Sequence, residues 1–413
     1  MATFTKSGIG VAAFLSFTLV AGNAQAIPAF ARQTKLGCNT CHTIFPQLTR
    51  FGRDFRDNGF RTPDEVQQLL KKTAPPPQTP PPPAQDFWSF IPEQIPFSIQ
   101  AKLHDAINPK GVVKSDFQLE ELQLQSGGTF TPRVSYYLHH HLAEEGSPGT
   151  LYTGWVRFND LWGSDWFNVI VGQFELPLSL SPEIERLSSF EYLAYNRQLG
   201  ANPWTLGTPQ LGVEVFGQSQ RGTKIWAGVA NGSGLALNDT TQSFDNNNFK
   251  DVYARVTQEL GESFVGGFVY YGRASATPQD SGTFDDNFVR TGADAKVVIR
   301  KFTVEAMAMY GRDNNPLGTG ERRTFVGGFV QGEWFVTDRT VVLARFDGVH
   351  QAQPALFAAI DDSASAEIFR VNTLALTPGI QWLVLPNIKL GFEYQGRQSR
   401  EEDRALAQLH LSF

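Results

Sequence analysis

The run Cys38-Asn39-Thr40-Cys41-His42 is the part of the chain whose residue types and spacing are best suited to chemistry. Two thiols two residues apart can each add to a haem vinyl group, and the imidazole that follows is then held where it can take one axial position on the iron. The spacing therefore reads as a c-type haem site: Cys38 and Cys41 tether one covalent haem c, and His42 ligates its iron. The chain holds only these two cysteines. A zinc ribbon would need a second pair, and a bare exported dithiol would more often close as a disulfide.

The flanking elements have to hold that group in place. Phe45, Leu48, Phe51 and Phe55 recur at three- and four-residue spacing, which predicts a helix with an apolar face leaning on the porphyrin. Pro46 suits its first turn and Asn58-Gly59 its stop. Thr62-Pro63-Asp64-Glu65 predicts a second helix running to about Lys72, with Thr62 as N-cap and Glu65 completing a capping box. A domain of roughly forty-five residues buries little core, so the haem is expected to serve as much of it. Between Ile27 and Asp86 there is no methionine and no second histidine. The sixth position on the iron is then either open or filled from elsewhere in the chain.

Met1 to Ala26 reads as a secretory signal, with Lys6 in the charged region, Ile9 to Val20 apolar, and Ala24-Gln25-Ala26 at the cleavage site. Lys6 is its only charge, so cleavage takes the formal net charge from −6 to −7. That balance argues against a nucleic-acid partner. Beyond the signal no apolar run is long enough for a transmembrane helix. Residues 27–73 form the predicted haem domain. Residues 74–86 form a linker, in which Ala74 to Ala84 holds seven prolines. In the polyproline form eleven such residues reach about 30 Å, close to the apolar height of an outer-membrane barrel, about 25 Å.

Residues 87–413 carry a period-two pattern. Phe97, Ile99, Ala101 and Leu103 alternate with Ser98, Gln100, Lys102 and His104, and Ile388, Leu390, Phe392 and Tyr394 alternate with Lys389, Gly391, Glu393 and Gln395. Alternation with no helices to cover the apolar face predicts that lipid covers it. About sixteen strands are expected, starting near residues 94, 114, 130, 150, 166, 208, 222, 248, 262, 285, 301, 322, 338, 366, 386 and 402. Fourteen or eighteen are the alternatives, because Pro378-Gly379 interrupts one strand and the Glu120-Glu121 strand alternates poorly. Tight turns such as Arg300-Lys301 alternate with long segments such as 178 to 207, as short periplasmic turns alternate with long external loops in such barrels. The chain closes on Leu409, Leu411 and Phe413 at alternate positions. The predicted fold is an all-β transmembrane barrel with a small α-helical c-type cytochrome domain at its N-terminus. It would lie in a bacterial outer membrane, embedded in lipid, with both termini periplasmic or within the lumen. A soluble double-layer β fold is the competing architecture.

Parity points His104, His139, His141, Met307 and Met309 into the lumen, where each is a candidate sixth ligand. His410 lies inward at the end of the last strand, and His350 points outward. Lys102, Arg157, Arg255, Arg290, Asp294, Lys296, Glu305, Arg345, Asp347, Lys389 and Glu393 also point inward. A tuned ion filter would show one sign. Mixed signs suit a polar wall packed on a small plug.

Ile27-Pro28-Ala29-Phe30-Ala31-Arg32-Gln33-Thr34, the haem motif, Pro46, Leu48, Thr49, Phe51-Gly52-Arg53, Phe55-Arg56 and Asn58-Gly59-Phe60 together resemble the N-terminal segment of the fused monohaem cytochrome-porins of bacterial outer membranes. The resemblance implies extracellular iron(II) oxidation: Fe²⁺ as donor at the cell surface, the haem as carrier, and a periplasmic acceptor such as a soluble cytochrome. External carboxylates such as Glu144, Glu145, Asp285 and Asp286 would then gather Fe²⁺. Two other functions follow from the residues themselves. One is a porin-like solute channel with a haem-bearing plug or sensor; the other is a haem enzyme with an open sixth site.

Overall fold

Alternating apolar and polar residues produce a closed antiparallel barrel in the computed structural model. It describes residues 29–71, 96–108, 114–178, 180, 185–233, 244–245, 247–276, 282–352, 372–398 and 403–413. The predicted signal, residues 1–26, and the predicted linker, residues 74–86, lie outside the described residues. The strands are β1 (Phe97–Ile107), β2 (Ser115–Thr131), β3 (Val134–Glu144), a two-residue β4 (Ser147–Pro148), β5 (Leu151–Phe158), β6 (Asn168–Phe174), β7 (Gln210–Gln218), β8 (Thr223–Ala230), β9 (Asp251–Leu260), β10 (Ser263–Ala276), β11 (Phe284–Ile299), β12 (Phe302–Asp313), β13 (Arg323–Thr337), β14 (Thr340–Ala352), β15 (Asn372–Leu385), β16 (Ile388–Arg397) and β17 (Arg404–Ser412). β4 pairs only at the margin of β3, which pairs onward with β5. Sixteen strands therefore form the wall, and β1 closes it by pairing with both β2 and β17.

The two irregular places noted in the sequence have local causes. Between β1 and β2, Lys102 faces Glu121 and Leu103 faces Leu119, so Glu120 is the extra residue of a bulge. In β15 the pairs Leu376 with Gly396 and Gly379 with Glu393 keep one register across Pro378. Proline has no N–H to give the ladder there, and the strand runs on through it.

Burial follows parity. Phe97, Ile99, Leu103, Phe392 and Tyr394 are exposed on the outer face, whereas Lys389, Glu393 and Gln395 are buried on the inner one. His350 is exposed, as parity predicts. The turns after β9, β11, β13 and β15 contain two residues each, which defines a short-turn end of the barrel. The predicted long segment 178 to 207 lies within the connection 175–209 at the end opposite the short turns, and its described residues fold into the lumen. Leu176, Leu178, Leu180, Tyr192, Tyr195, Leu199, Trp204 and Leu206 are buried there against Tyr270, Phe288, Phe325 and Phe329 of the wall. Tyr192 stacks on Phe329 at 4.0 Å between ring centroids, and Trp204 packs on Tyr270 at 4.4 Å. Left outside, those side chains would stand in water, whereas an aromatic inner wall lets them bury apolar area.

Among the described residues four short helices precede the barrel: α1 (Ala29–Thr34), α2 (Cys38–Cys41), α3 (Arg50–Asp57) and α4 (Pro63–Lys71). The capping box of α4 forms as predicted, with Glu65 Oε2 accepting from Thr62 N at 2.6 Å and Thr62 Oγ1 accepting from Glu65 N at 3.3 Å. α3 begins later than the apolar spacing suggests. Residues 43–48 form a turn in which Thr43 N donates to Gln47 O and Gln47 N to Ile44 O. Thr49 then caps the helix, accepting from Gly52 N at 3.1 Å. Gly59, at φ +67°, ends it in the left-handed conformation that glycine adopts without strain.

Candidate functional site

The helical segment 29–71 is held inside the barrel at its short-turn end. Arg53 gives Nε to Glu259 Oε1 at 3.3 Å and Nη2 to Glu259 Oε2 at 3.1 Å. Arg61 pairs with Asp160, Lys224 Nζ reaches Asp57 Oδ2 at 2.8 Å and Asp54 Oδ1 at 2.9 Å, and Lys389 Nζ donates to Phe45 O at 2.9 Å. Gln47 Nε2 donates to Glu305 Oε1 at 3.0 Å and Glu333 Oε2 at 3.0 Å. Aromatic rings complete the seat. Phe60 stacks on Phe30 at 4.6 Å and on Trp155 of β5 at 5.8 Å. Buried pairs of this kind hold a segment in one orientation, because removing one partner strands a charge away from water.

Between this segment and the wall lies a cavity of ≈ 320 Å³, lined by Cys38, Cys41 and His42 from the segment and by Tyr137, His139, Trp155, Arg157 and His410 from the barrel. Cys38 and Cys41 stand one turn apart in α2, so both half-buried thiols lie on one helical face. Burial raises both thiol pKa values, and for Cys41 the charge of Cys38 adds to the effect. His42 is the C-cap of α2 in extended backbone, with its N–H on Cys38 O. Its Nδ1 lies 3.1 Å from Pro46 O. A carbonyl only accepts, so Nδ1 carries the proton and Nε2 keeps its lone pair, the tautomer that can ligate a metal. Burial lowers the His42 pKa, which favours the neutral ring.

The structure separates the sixth-ligand candidates. His139 lines the cavity, is buried, and its Nε2 has no hydrogen-bond partner. His141 also has a partnerless Nε2, but its Nδ1 faces Glu144 at 3.1 Å and its ring stacks on Tyr152, away from the cavity lining. His104 is engaged by Glu120 at 2.7 Å and Gln408 at 2.6 Å. Met307 and Met309 are packed in the apolar cluster under segment 175–209. His410 lines the cavity with its ring edge on Phe45 at 4.7 Å. Of the proposed iron-gathering carboxylates, Asp286 is buried and bonded to Asn202 and to Asn315 N.

Sequence reasoning missed the docking residues on the plug, Gln47, Arg53 and Arg61. Their only signal was three polar residues flanking an otherwise apolar helix face. Several of the inward charges it did find occur as pairs: Arg255 with Asp294 at 2.7 Å, Lys296 with Glu185 at 2.9 Å and Glu305 at 3.3 Å, and Arg345 with Asp347 at 2.6 Å.

A family model described as phosphate-selective porin O and P matches residues 96–411. No curated protein matches the chain. Among solved structures, the chain is similar in fold to an anion-selective porin from Comamonas acidovorans, with a TM-score of 0.57 at 9% identity over 77% of this chain and 98% of that one. It is also similar to the outer-membrane channel DcaP of Acinetobacter baumannii, with a TM-score of 0.52 at 14% identity over 77% and 96%. A loop-deletion mutant of the Vibrio cholerae outer-membrane protein OmpT gives a TM-score of 0.53 at 12% identity over 77% and 98%. These findings overturn the expectation of an outer-membrane cytochrome that takes electrons from Fe(II) and passes them to a periplasmic carrier. The matched model is a porin family and spans most of the chain.

Proposed function

Because the chain belongs to the phosphate-selective porin O and P family, we propose that it is an outer-membrane solute channel whose lumen is occupied at the short-turn end by a haem-bearing plug, residues 29–71. The observation that carries this reading is the seat of that segment: Arg53 on Glu259, Arg61 on Asp160 and Phe60 on Trp155 hold it inside the wall. The short-turn end, which receives the plug, is then the periplasmic one. The family description makes inorganic phosphate the first solute to test.

The residues around the cavity suit a covalent haem c. Cys38 and Cys41 present two thiols on one face, His42 presents a neutral Nε2, and His139 brings a buried, partnerless Nε2 from the barrel wall to the same cavity. Cys38 and Cys41 would hold the group, and His42 and His139 would be the side chains available to ligate its iron. Bound there, haem supplies an iron centre whose ligation and oxidation state can change. Tyr137 and Trp155 of the barrel wall also line the cavity.

Planar-bilayer recording tests the channel. The full-length protein should conduct weakly, and deletion of residues 27–73 should raise conductance, with reversal potentials in phosphate gradients reporting anion preference. Equal conductance in the two proteins removes the plug; no conductance in either removes the channel. Haem staining after denaturation tests the tether, and an optical spectrum that stays unchanged in His139→Ala removes His139 as ligand.

A further inference from the structure

We propose that Arg157 is the oxyanion anchor of the cavity and that the oxyanion it holds is a propionate of the tethered haem. The inference rests on the haem reading given above. Arg157 is buried in β5, yet its Nε and Nη2 have no hydrogen-bond partner. Its guanidinium lies over the Phe216 ring at 4.9 Å from the centroid, which fixes the plane and leaves an N–H edge uncommitted. Arg157 lines the same cavity as Cys38, Cys41 and His42.

Carboxylates near Arg157 are bound elsewhere. Asp57 is held by Lys224 at 2.8 Å and Arg56 at 3.1 Å, Asp160 is paired with Arg61, and Glu214 accepts from Tyr253 Oη at 2.8 Å. The other cations of the cavity lining are paired in turn: Arg53 with Glu259 and Lys102 with Glu121. A buried guanidinium edge without a protein partner must be satisfied by whatever fills the cavity, because leaving it bare is costly. A planar carboxylate matches that edge with two parallel N–H···O bonds. Haem c carries two such carboxylates, on the side of the macrocycle away from the positions that Cys38 and Cys41 would hold.

The test is a stability cycle on full-length protein. Arg157→Leu is made in the haem-loaded chain and in the haem-free Cys38→Ala/Cys41→Ala chain, and amide-exchange protection of residues 29–71 is measured in all four. In the loaded protein the substitution should lower protection about tenfold to a hundredfold, the range of a charge-assisted hydrogen bond. In the haem-free protein it should leave protection unchanged or raise it, because it removes a cation without a partner. Equal losses in both backgrounds would mean that Arg157 serves packing alone, and no loss in the loaded protein would mean that no propionate is held; either overturns the proposal. Inorganic phosphate added to the haem-free chain distinguishes a free ion from the propionate. Protection that rises with phosphate only when Arg157 is present assigns the site to a passing solute and overturns the haem assignment. Absence of covalent haem on a denaturing gel would refute the haem reading itself, separately from any result on Arg157.

Discussion

Arg53→Met is the substitution that asks most directly whether electrostatic docking holds the plug. The side chains of Arg53 and Glu259 are each 3% exposed, and the guanidinium also reaches Glu262 O at 3.1 Å and Leu48 O at 3.2 Å. Methionine keeps an unbranched stem but gives up the guanidinium that lies 5.3 Å from the centroid of the Phe264 ring. What is lost is the cation, which leaves Glu259 buried. Removing one partner of a buried pair costs about 3–5 kcal/mol. Lys224 Nζ, 3.5 Å from Glu259 Oε1, still neutralises part of that charge, which argues for the lower end, about 3 kcal/mol. At 1.36 kcal/mol per factor of ten, plug release should become more frequent by about two orders of magnitude. Amide exchange on liposome-reconstituted protein reads this as a roughly hundredfold fall in the protection of residues 29–71, accompanied by more frequent open events in bilayers. The double variant Arg53→Met/Glu259→Leu, which removes both charges, should regain most of the loss. Unchanged protection in the single variant, or no recovery in the double, would refute electrostatic docking.

Three further perturbations probe the same assembly. A Cβ on Gly52 would lie 2.2 Å from Cys41 O, so Gly52→Ala should push α3 off the cysteine turn at a cost of about 1–3 kcal/mol, read as reduced covalent haem per protein on a stained gel. Burial opposes ionisation of Asp57, but Lys224 and Arg56 hold its carboxyl well below the usual range. The unfolded chain therefore takes up the proton first as pH falls. Plug docking should be steady above the ordinary carboxylate value, about 3.9, and decline as pH drops through and below it, with Asp57→Asn flattening the exchange-monitored profile. Tyr192→Ala removes the ring stacked on Phe329 and should loosen segment 175–209 by about 3–5 kcal/mol, which bilayer recording registers as larger or more frequent openings.

The wall was legible because lipid and lumen impose opposite demands on successive residues. Phe392 and Tyr394 face out and Lys389 and Glu393 face in for that single reason, and turns such as Arg300-Lys301 mark the strand ends. The predicted start near 366 lies outside the described residues, which resume at Asn372 in that strand. The site was only half legible. Spacing identified Cys38, Cys41 and His42, but spacing along a chain says nothing of what stands across a lumen. His139 and His104 have equal parity credentials, and only three-dimensional placement separates them: Glu120, the residue of the bulge, engages His104, while His139 lines the cavity with a partnerless Nε2. Met307 and Met309 look like soft ligands in sequence but act as packing beneath segment 175–209, whose inward fold the loop-length rule does not anticipate.

The mixed signs inside the barrel have a physical reason once the plug and segment 175–209 are in place. An open lumen leaves its charges in water, where they need no partners. Here Arg290, Asp313, Lys296, Glu185, Glu305, Arg345 and Asp347 are buried, and taking each from water costs several kcal/mol. Opposite charges at close range offset much of that cost, so a filled barrel needs both signs in register where a bare selective pore would carry one. The offset is incomplete, since Arg345 Nη1 and Glu185 Oε1 lack partners. Apolar burial of Leu178, Leu180, Tyr195 and Trp204 favours the filled state, and hydration of the stranded polar atoms favours the open one. Plug and inward segment also meet, through the buried cluster that Ile44 and Leu187 share with Val341 and Leu343 and through the chain Gln47, Glu305, Lys296 and Glu185. Displacing either one exposes polar atoms that the other had helped to satisfy, so the two obstructions of the lumen are energetically coupled.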